Sequence, residues 1–161
     1  LAGGESDDAL VRGALWTPCG PLGITLRGGM LVSLEWFPEW PVSGDRSPTL
    51  VRIADQIRAY FHDPAVQFRC RLALSASPFR LRVWGALSTI PPGETRTYGQ
   101  LARQLDASPR AVAAACRANP CPIVIPCHRV VARDGLGGYA GRSPTLLAVK
   151  RCLLRHEGWH G

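Results

Sequence analysis

The sequence predicts an α+β chain made of two small domains: a small antiparallel sheet with one helix over residues 1–76, then a mostly helical domain with a helix-turn-helix over residues 77–161. Three features carry this. Apolar residues fall in strand-like runs and two-residue alternation up to about Leu74, and at helical spacing from Phe79 onward. Between the two patterns, Ser75-Ala76-Ser77-Pro78 is a short polar break. The chain has 161 residues, enough for two small domains, and its 46% apolar and 19% charged content suits neither a disordered protein nor a coiled coil.

In the first domain, residues 15–16, 22–27 and 30–36 read as strands, and Gly28-Gly29 is a two-residue hairpin signal between the last two. Pro38, Pro41 and Ser43-Gly44 make a loop. Ser47-Pro48 reads as an N-cap followed by proline at the first helical position. Behind it Leu50, Ile53, Ala54, Ile57, Tyr60 and Phe61 predict a helix to about His62. Residues 67–74 alternate, with Phe68, Cys70, Leu72 and Leu74 on one face, and predict a half-buried strand.

In the second domain, Phe79, Val83, Trp84, Leu87 and Ile90 trace a helical stripe that Pro91-Pro92-Gly93 stops. Thr97 caps a short helix through Leu105. Asp106-Ala107-Ser108 is a tight connection, and Pro109 starts a second helix to about Arg117. Two short helices across such a turn match the helix-turn-helix outline. A proline-punctuated segment, a glycine-rich loop and a last helix from about Pro144 to Arg155 complete the chain.

Nineteen basic residues, of which Lys150 is the only lysine, stand against twelve acidic ones, a net +7 that favours polyanionic partners. No run approaches the ~20 apolar residues of a membrane helix. The Gly-rich, acidic start is unlike a targeting segment, so a soluble protein of the cytoplasm is expected. The six cysteines include no Cys-x-x-Cys pair, and Cys116, Cys121, Cys127 and His128 lack zinc-knuckle spacing, so no metal is expected.

On the second short helix, Arg110, Ala113, Ala114 and Arg117 share a face, with Val112, Ala115, Cys116 and Asn119 on another. An alanine stripe lets a helix backbone approach another body closely, and the flanking arginines reach phosphates or an opened base stack. Pro126-Cys127-His128-Arg129 is the sharpest local feature. An imidazole in reach of a thiol, directly or through one water, takes its proton and stabilises the reactive anion. A carboxylate is the usual group to orient that imidazole, and Glu157, just past the final helix, is available. Side chains of neighbours in a strand diverge, but Pro126 argues against a regular strand here.

Ile125-Pro126-Cys127-His128-Arg129-Val130, with Arg117-Ala118-Asn119-Pro120 and Thr97-Tyr98-Gly99-Gln100-Leu101-Ala102 before it, resembles the O6-alkylguanine-DNA alkyltransferases. The resemblance runs motif by motif from about Phe79 to Glu157, and the first domain is compatible with that family's RNase H-like one. It implies direct-reversal DNA repair, in which Cys127 takes the alkyl group from O6 of a damaged guanine, and O4-alkylthymine is an expected second substrate. It further implies His128 as the base, acting through a water and held by Glu157; Tyr98 addressing guanine N3; and Asn119 bracing the turn into the active-site loop. Tyr139, Ala140, Val130 and Pro122 would line the base pocket, with the carbonyls of Cys127 and Val130 accepting from the exocyclic amine. Arg110 would fill the stack after the nucleotide is flipped, alongside Ala113, Ala114, Arg117 and Thr97 on DNA from the minor-groove side.

The implied product is a thioether with no labile bond, so each molecule reacts once. The partner expected is double-stranded DNA bearing O6-alkylguanine. No cofactor is expected; the free protein is expected to be a monomer, with clustering along DNA left open. Many members carry serine where this chain has Ala140, which leaves only the backbone amide to contact the base. Cys19, His62 and Cys70 do not reproduce the four-ligand zinc set of some relatives. Two readings of other classes remain: a helix-turn-helix binding module without chemistry, and a redox sensor acting through Cys127.

Overall fold

The computed structural model describes residues 9–42, 47–138 and 143–161. It divides into two compact units, Leu1–Ser75 and Ala76–Gly161.

In the first unit, β1 (Leu10–Thr17), β2 (Gly20–Arg27) and β3 (Met30–Trp36) form an antiparallel sheet in the order β1-β2-β3. Leu22, Ile24 and Leu26 of β2, the central strand, are almost wholly buried. Gly28 and Gly29 turn β2 into β3 with φ of +57° and +74°, values that only glycine adopts without strain. Helix α1 (Pro48–His62) begins as its sequence dictates: the Ser47 side chain accepts from Leu50 N, and proline occupies the first turn, where its missing N–H costs nothing. It buries Leu50, Ile53, Ile57 and Tyr60, each contributing about 1.5–3 kcal/mol.

The strand expected over residues 67–74 does not form as a ladder. Its alternation is real, with Phe68, Cys70, Leu72 and Leu74 less exposed than Gln67, Arg69 and Arg71. Its pairing is confined to an isolated parallel bridge between Leu72 and Leu31, held by Leu31 N to Arg71 O (2.8 Å) and Ala73 N to Leu31 O (2.9 Å). Gln56 of α1 takes a further share of this backbone, accepting from Arg69 N and donating to Arg69 O. A helix side chain thus satisfies polar groups that a longer strand pairing would have used.

In the second unit, α2 (Pro78–Leu87), α3 (Tyr98–Leu105), α4 (Pro109–Arg117) and α5 (Pro144–His156) are joined by short connections and one parallel strand pair, β4 (Arg96–Thr97) with β5 (Val130–Val131). Each helix is capped by a serine or threonine: Ser77, Thr97, Ser108 and Ser143. At α3 the cap is reciprocal, since the Gln100 side chain also accepts from Thr97 N. Trp84 of α2 donates its indole N–H to Ala115 O of α4 at 2.9 Å, which fixes α4 from behind. Among the described residues no helix is long and apolar enough to cross a membrane.

Candidate active site

Helix α4 ends at Arg117, and the chain then folds back through a tight, buried loop. Asn119 organises it. Its side-chain amide donates to Ile125 O at 2.8 Å, its carbonyl accepts from Cys121 N at 2.9 Å, and it also hydrogen-bonds the Cys127 thiol. Ile123, buried and β-branched, sits at φ +73°, a strained conformation that the surrounding bonds enforce. Pro126 (φ −81°, ψ 65°) closes an inverse γ-turn, with Cys127 N donating to Ile125 O at 2.8 Å. That turn launches a single 3-10 turn, Cys127–Arg129, so the cysteine and histidine are not held on opposite faces as in a strand.

His128 is fully buried, and its Nε2 lies 2.8 Å from Glu157 Oε2. A carboxylate only accepts, so the shared proton sits on Nε2 and Nδ1 carries the lone pair. Nδ1 is buried, with no hydrogen-bond partner among the described residues. An acceptor that is desolvated and unpaired is a base awaiting a proton.

Glu157 is equally committed on its other side. Arg129 donates Nε to Oε1 at 2.9 Å and Nη2 to Oε2 at 2.8 Å, and its Nη1 donates to Ile90 O at 2.6 Å. This forked, buried pair fixes the carboxylate that fixes the imidazole.

Burial acts on both members of the Cys127–His128 pair. Burial pushes the Cys127 thiol up from 9.0, against the downward pull of Asn119's hydrogen bond, the Lys150 charge and a backbone hydrogen bond. Burial also holds His128 below 6.5, although Glu157 raises it. Burial thus works against the charged form of each group, because a low-dielectric site disfavours either charge.

Lys150 is a site residue that sequence reading passed over. It is fully buried on α5 and donates to three carbonyls: Val130 O (2.6 Å), Leu136 O (2.6 Å) and Gly138 O (2.8 Å). Its ammonium also lies over the Tyr98 ring, 5.8 Å from the centroid. Burial depresses it from 10.5 to about 8, opposed by the neighbouring thiols of Cys127 and Cys116. Arg129 was passed over too. The available signal for Lys150 was a lone lysine on the apolar stripe of a helix whose neighbours Val149, Leu153 and Leu154 are core.

Tyr98 opens α3 beside this group, and burial pushes its hydroxyl above 10.0, so it stays a proton donor. The hydroxyl donates to Gly138 O at 3.1 Å. Gly137, at φ +71°, lets the ring come close: a Cβ there would stand 2.9 Å from Tyr98 Cε2. The Val130 carbonyl, expected to meet a base amine, already accepts from Lys150, leaving one lone pair. Pro122 is buried within the loop. Tyr139 and Ala140 lie outside the described residues. On α4, Arg110, Ala114 and Arg117 are exposed and Ala113 partly so, while Val112, Ala115 and Cys116 are buried. The Thr97 hydroxyl accepts from Gln100 N in the α3 cap and keeps its own O–H free to donate.

The family model for the DNA-binding domain of 6-O-methylguanine DNA methyltransferase matches residues 78–159. A methylated-DNA–protein-cysteine methyltransferase of Mycobacterium leprae is 37% identical over 153 residues, covering 84% of this chain and 88% of the relative. The enzyme of that name from Mycolicibacterium paratuberculosis is 48% identical over 103 residues, covering 60% of this chain and 62% of the relative. The crystal structure of Mycobacterium tuberculosis OGT in complex with DNA superposes with a TM-score of 0.76 at 35% identity, covering 91% of this chain and 92% of that one. The Mycobacterium leprae and Mycobacterium tuberculosis matches reach into both units, and the family model covers the unit in which a buried cysteine directly precedes the histidine of a histidine–carboxylate pair. The chain belongs to the methylated-DNA–protein-cysteine methyltransferases, the direct-reversal repair enzymes that move an alkyl group from DNA to a cysteine.

Proposed function

We propose that Cys127 is the acceptor and that it takes the alkyl group from O6 of guanine, and from O4 of thymine, in a nucleotide flipped out of duplex DNA. The observation that carries this is the His128 arrangement: Nε2 bound to Glu157, Nδ1 buried and unpartnered, and Cys127 next in the chain. The thiol proton passes to Nδ1, directly or through one water, as the sulfur attacks. The S–C bond forms while the C–O6 bond breaks, and the released electron pair goes to the purine. Tyr98 donates a hydrogen bond at N3 that stabilises the charge gathering on the purine, exchanging its Gly138 partner for the base, and the thiol's proton ends on His128. The thioether left on Cys127 has no bond for water to cleave, so the protein reacts once.

The exposed face of α4 supports the DNA reading. Its small residues admit the helix to the minor groove, and Arg110 and Arg117 flank them. Extruding the base costs a few kcal/mol, and Arg110 filling the gap offsets part of it. The free protein acts as a monomer, and its place is with the genome: the cytoplasm and its nucleoid, or the nucleus of a eukaryote.

The test is intact mass and peptide mapping after incubation with duplex DNA carrying O6-methylguanine. One methyl group is expected, on the peptide containing Cys127. A methyl group on Cys116 or Cys121, or none, sinks the assignment.

The transfer rate is expected to be flat with pH between two limits. Below the lowered imidazole value, under 6.5, Nδ1 is protonated and cannot accept, so the rate falls. Above about 8, Lys150 loses its charge and has two N–H groups for three carbonyls, so the rate falls again. Single-turnover kinetics across this range would show the plateau. A steady rise through pH 9 would mean that the free thiolate is the reactant.

A further inference from the structure

We infer that a second, arginine-lined groove of the Ala76–Gly161 unit binds the phosphate backbone of duplex DNA beyond the reach of α4. The groove encloses about 690 Å3 between the loop after β5 and the end of α5. Arg133, Arg151, Arg155 and His160 line it, Trp159 forms an apolar wall, and Asp134 is the one acidic side chain. Arg151 and Arg155 stand four residues apart and so project from one face of α5. Arg133, Arg151 and Arg155 are exposed, and none takes part in a salt bridge among the described residues. Three arginines that line one concavity and take part in no salt bridge among the described residues, against a single acidic side chain, favour an anion there, and the forked geometry of guanidinium suits phosphate oxygens.

Continuity with the α3–α4 region selects the occupant. A neighbouring groove of about 830 Å3 runs beside the start of α4, past Ala107 and Pro109, and carries Arg103. The two grooves share Thr97, Ala132 and Arg133 in their linings, so they form one path from the first turn of α4 to Trp159. A duplex docked on α4 carries a phosphate every few ångströms, and such a path would follow its backbone. The inference rests on α4 as the docking helix and adds a role for α5, whose buried face already serves the active site through Lys150.

The experiment is a salt titration of binding to undamaged duplex, read by fluorescence anisotropy, with wild type, the Arg151→Ala/Arg155→Ala variant and an Arg52→Ala/Arg58→Ala charge control. Each phosphate contact contributes about 0.9 to the slope of log K against log salt, so losing two is expected to reduce the slope by about 1.8. The control is expected to keep the wild-type slope. Methyl transfer to Cys127 at saturating damaged duplex is measured in parallel and is expected to be unchanged in the groove variant. An unaltered slope overturns the inference, as does an equal drop in the control. A change confined to the cooperativity of binding also overturns it, because the groove would then hold a second copy of the chain. Failure of wild type to bind duplex or methylate Cys127 would instead overturn the proposed function.

Discussion

Glu157→Gln is expected to slow methyl transfer by about a hundredfold or more and to destabilise the second unit by about 3–5 kcal/mol. The two losses have different origins. The carboxylate accepts from His128 Nε2 and from two nitrogens of Arg129. An amide has one accepting oxygen, and its NH2 faces donors wherever it points. If the oxygen turns to Arg129, the imidazole is no longer held with Nδ1 as the base. In either orientation Arg129, a residue 7% exposed, loses its counter-charge. The double variant Glu157→Gln/Arg129→Met separates the effects. It removes the uncompensated charge, so unfolding by denaturant is expected to return toward wild type while transfer stays slow. Transfer by Glu157→Gln at the wild-type rate would show that the carboxylate does not orient the base.

Lys150→Met is expected to reduce transfer by about 10–100-fold while leaving duplex binding through α4 intact. Methionine fills the volume but donates nothing, so the carbonyls of Val130, Leu136 and Gly138 lose their common partner. Each buried acceptor left unpaired costs about 1–3 kcal/mol, and the loop over residues 136–138 is released to find water. Tyr98 shares the Gly138 carbonyl, so the proton donor shifts with the loop. A displacement of about 1 Å in a reacting group is enough for losses of this size. The signature is in the pH profile: the fall above about 8 belongs to Lys150 and is expected to vanish in the variant, while the limb below 6.5 remains. Persistence of the upper limb in Lys150→Met would remove the lysine's positioning role.

The histidine–carboxylate pair shows how far a chain can be read before it is folded. Cys127 and His128 are adjacent, so their partnership is local, and Pro126 signals that the backbone leaves the strand conformation. Glu157 is 29 residues further on, and only the packing of α5 brings it to 2.8 Å. Arg129 was visible but mute, since its three hydrogen bonds go to a distant carboxylate and the carbonyl of Ile90. Residues 67–74 teach the converse. Alternation correctly reported which side chains are sheltered, but pairing depends on which backbone lies alongside, and β3 meets that segment in a bridge at Leu31 rather than along a ladder.

The sequence by itself determined the helices and their N-terminal caps, because caps and prolines act within one turn, although α2 ends at Leu87, short of the Ile90 that the apolar stripe reached. It also determined the two-faced character of α4 and the adjacency of the sulfur and imidazole. Tertiary structure alone decided the burial that shifts that pair, the commitment of Lys150 to three carbonyls and the meeting of Arg133 with Arg151 and Arg155 in one groove. The reason is physical. Desolvation and long-range hydrogen bonding depend on what surrounds a group in space, and a linear order of residues fixes only what lies within a few bonds of it.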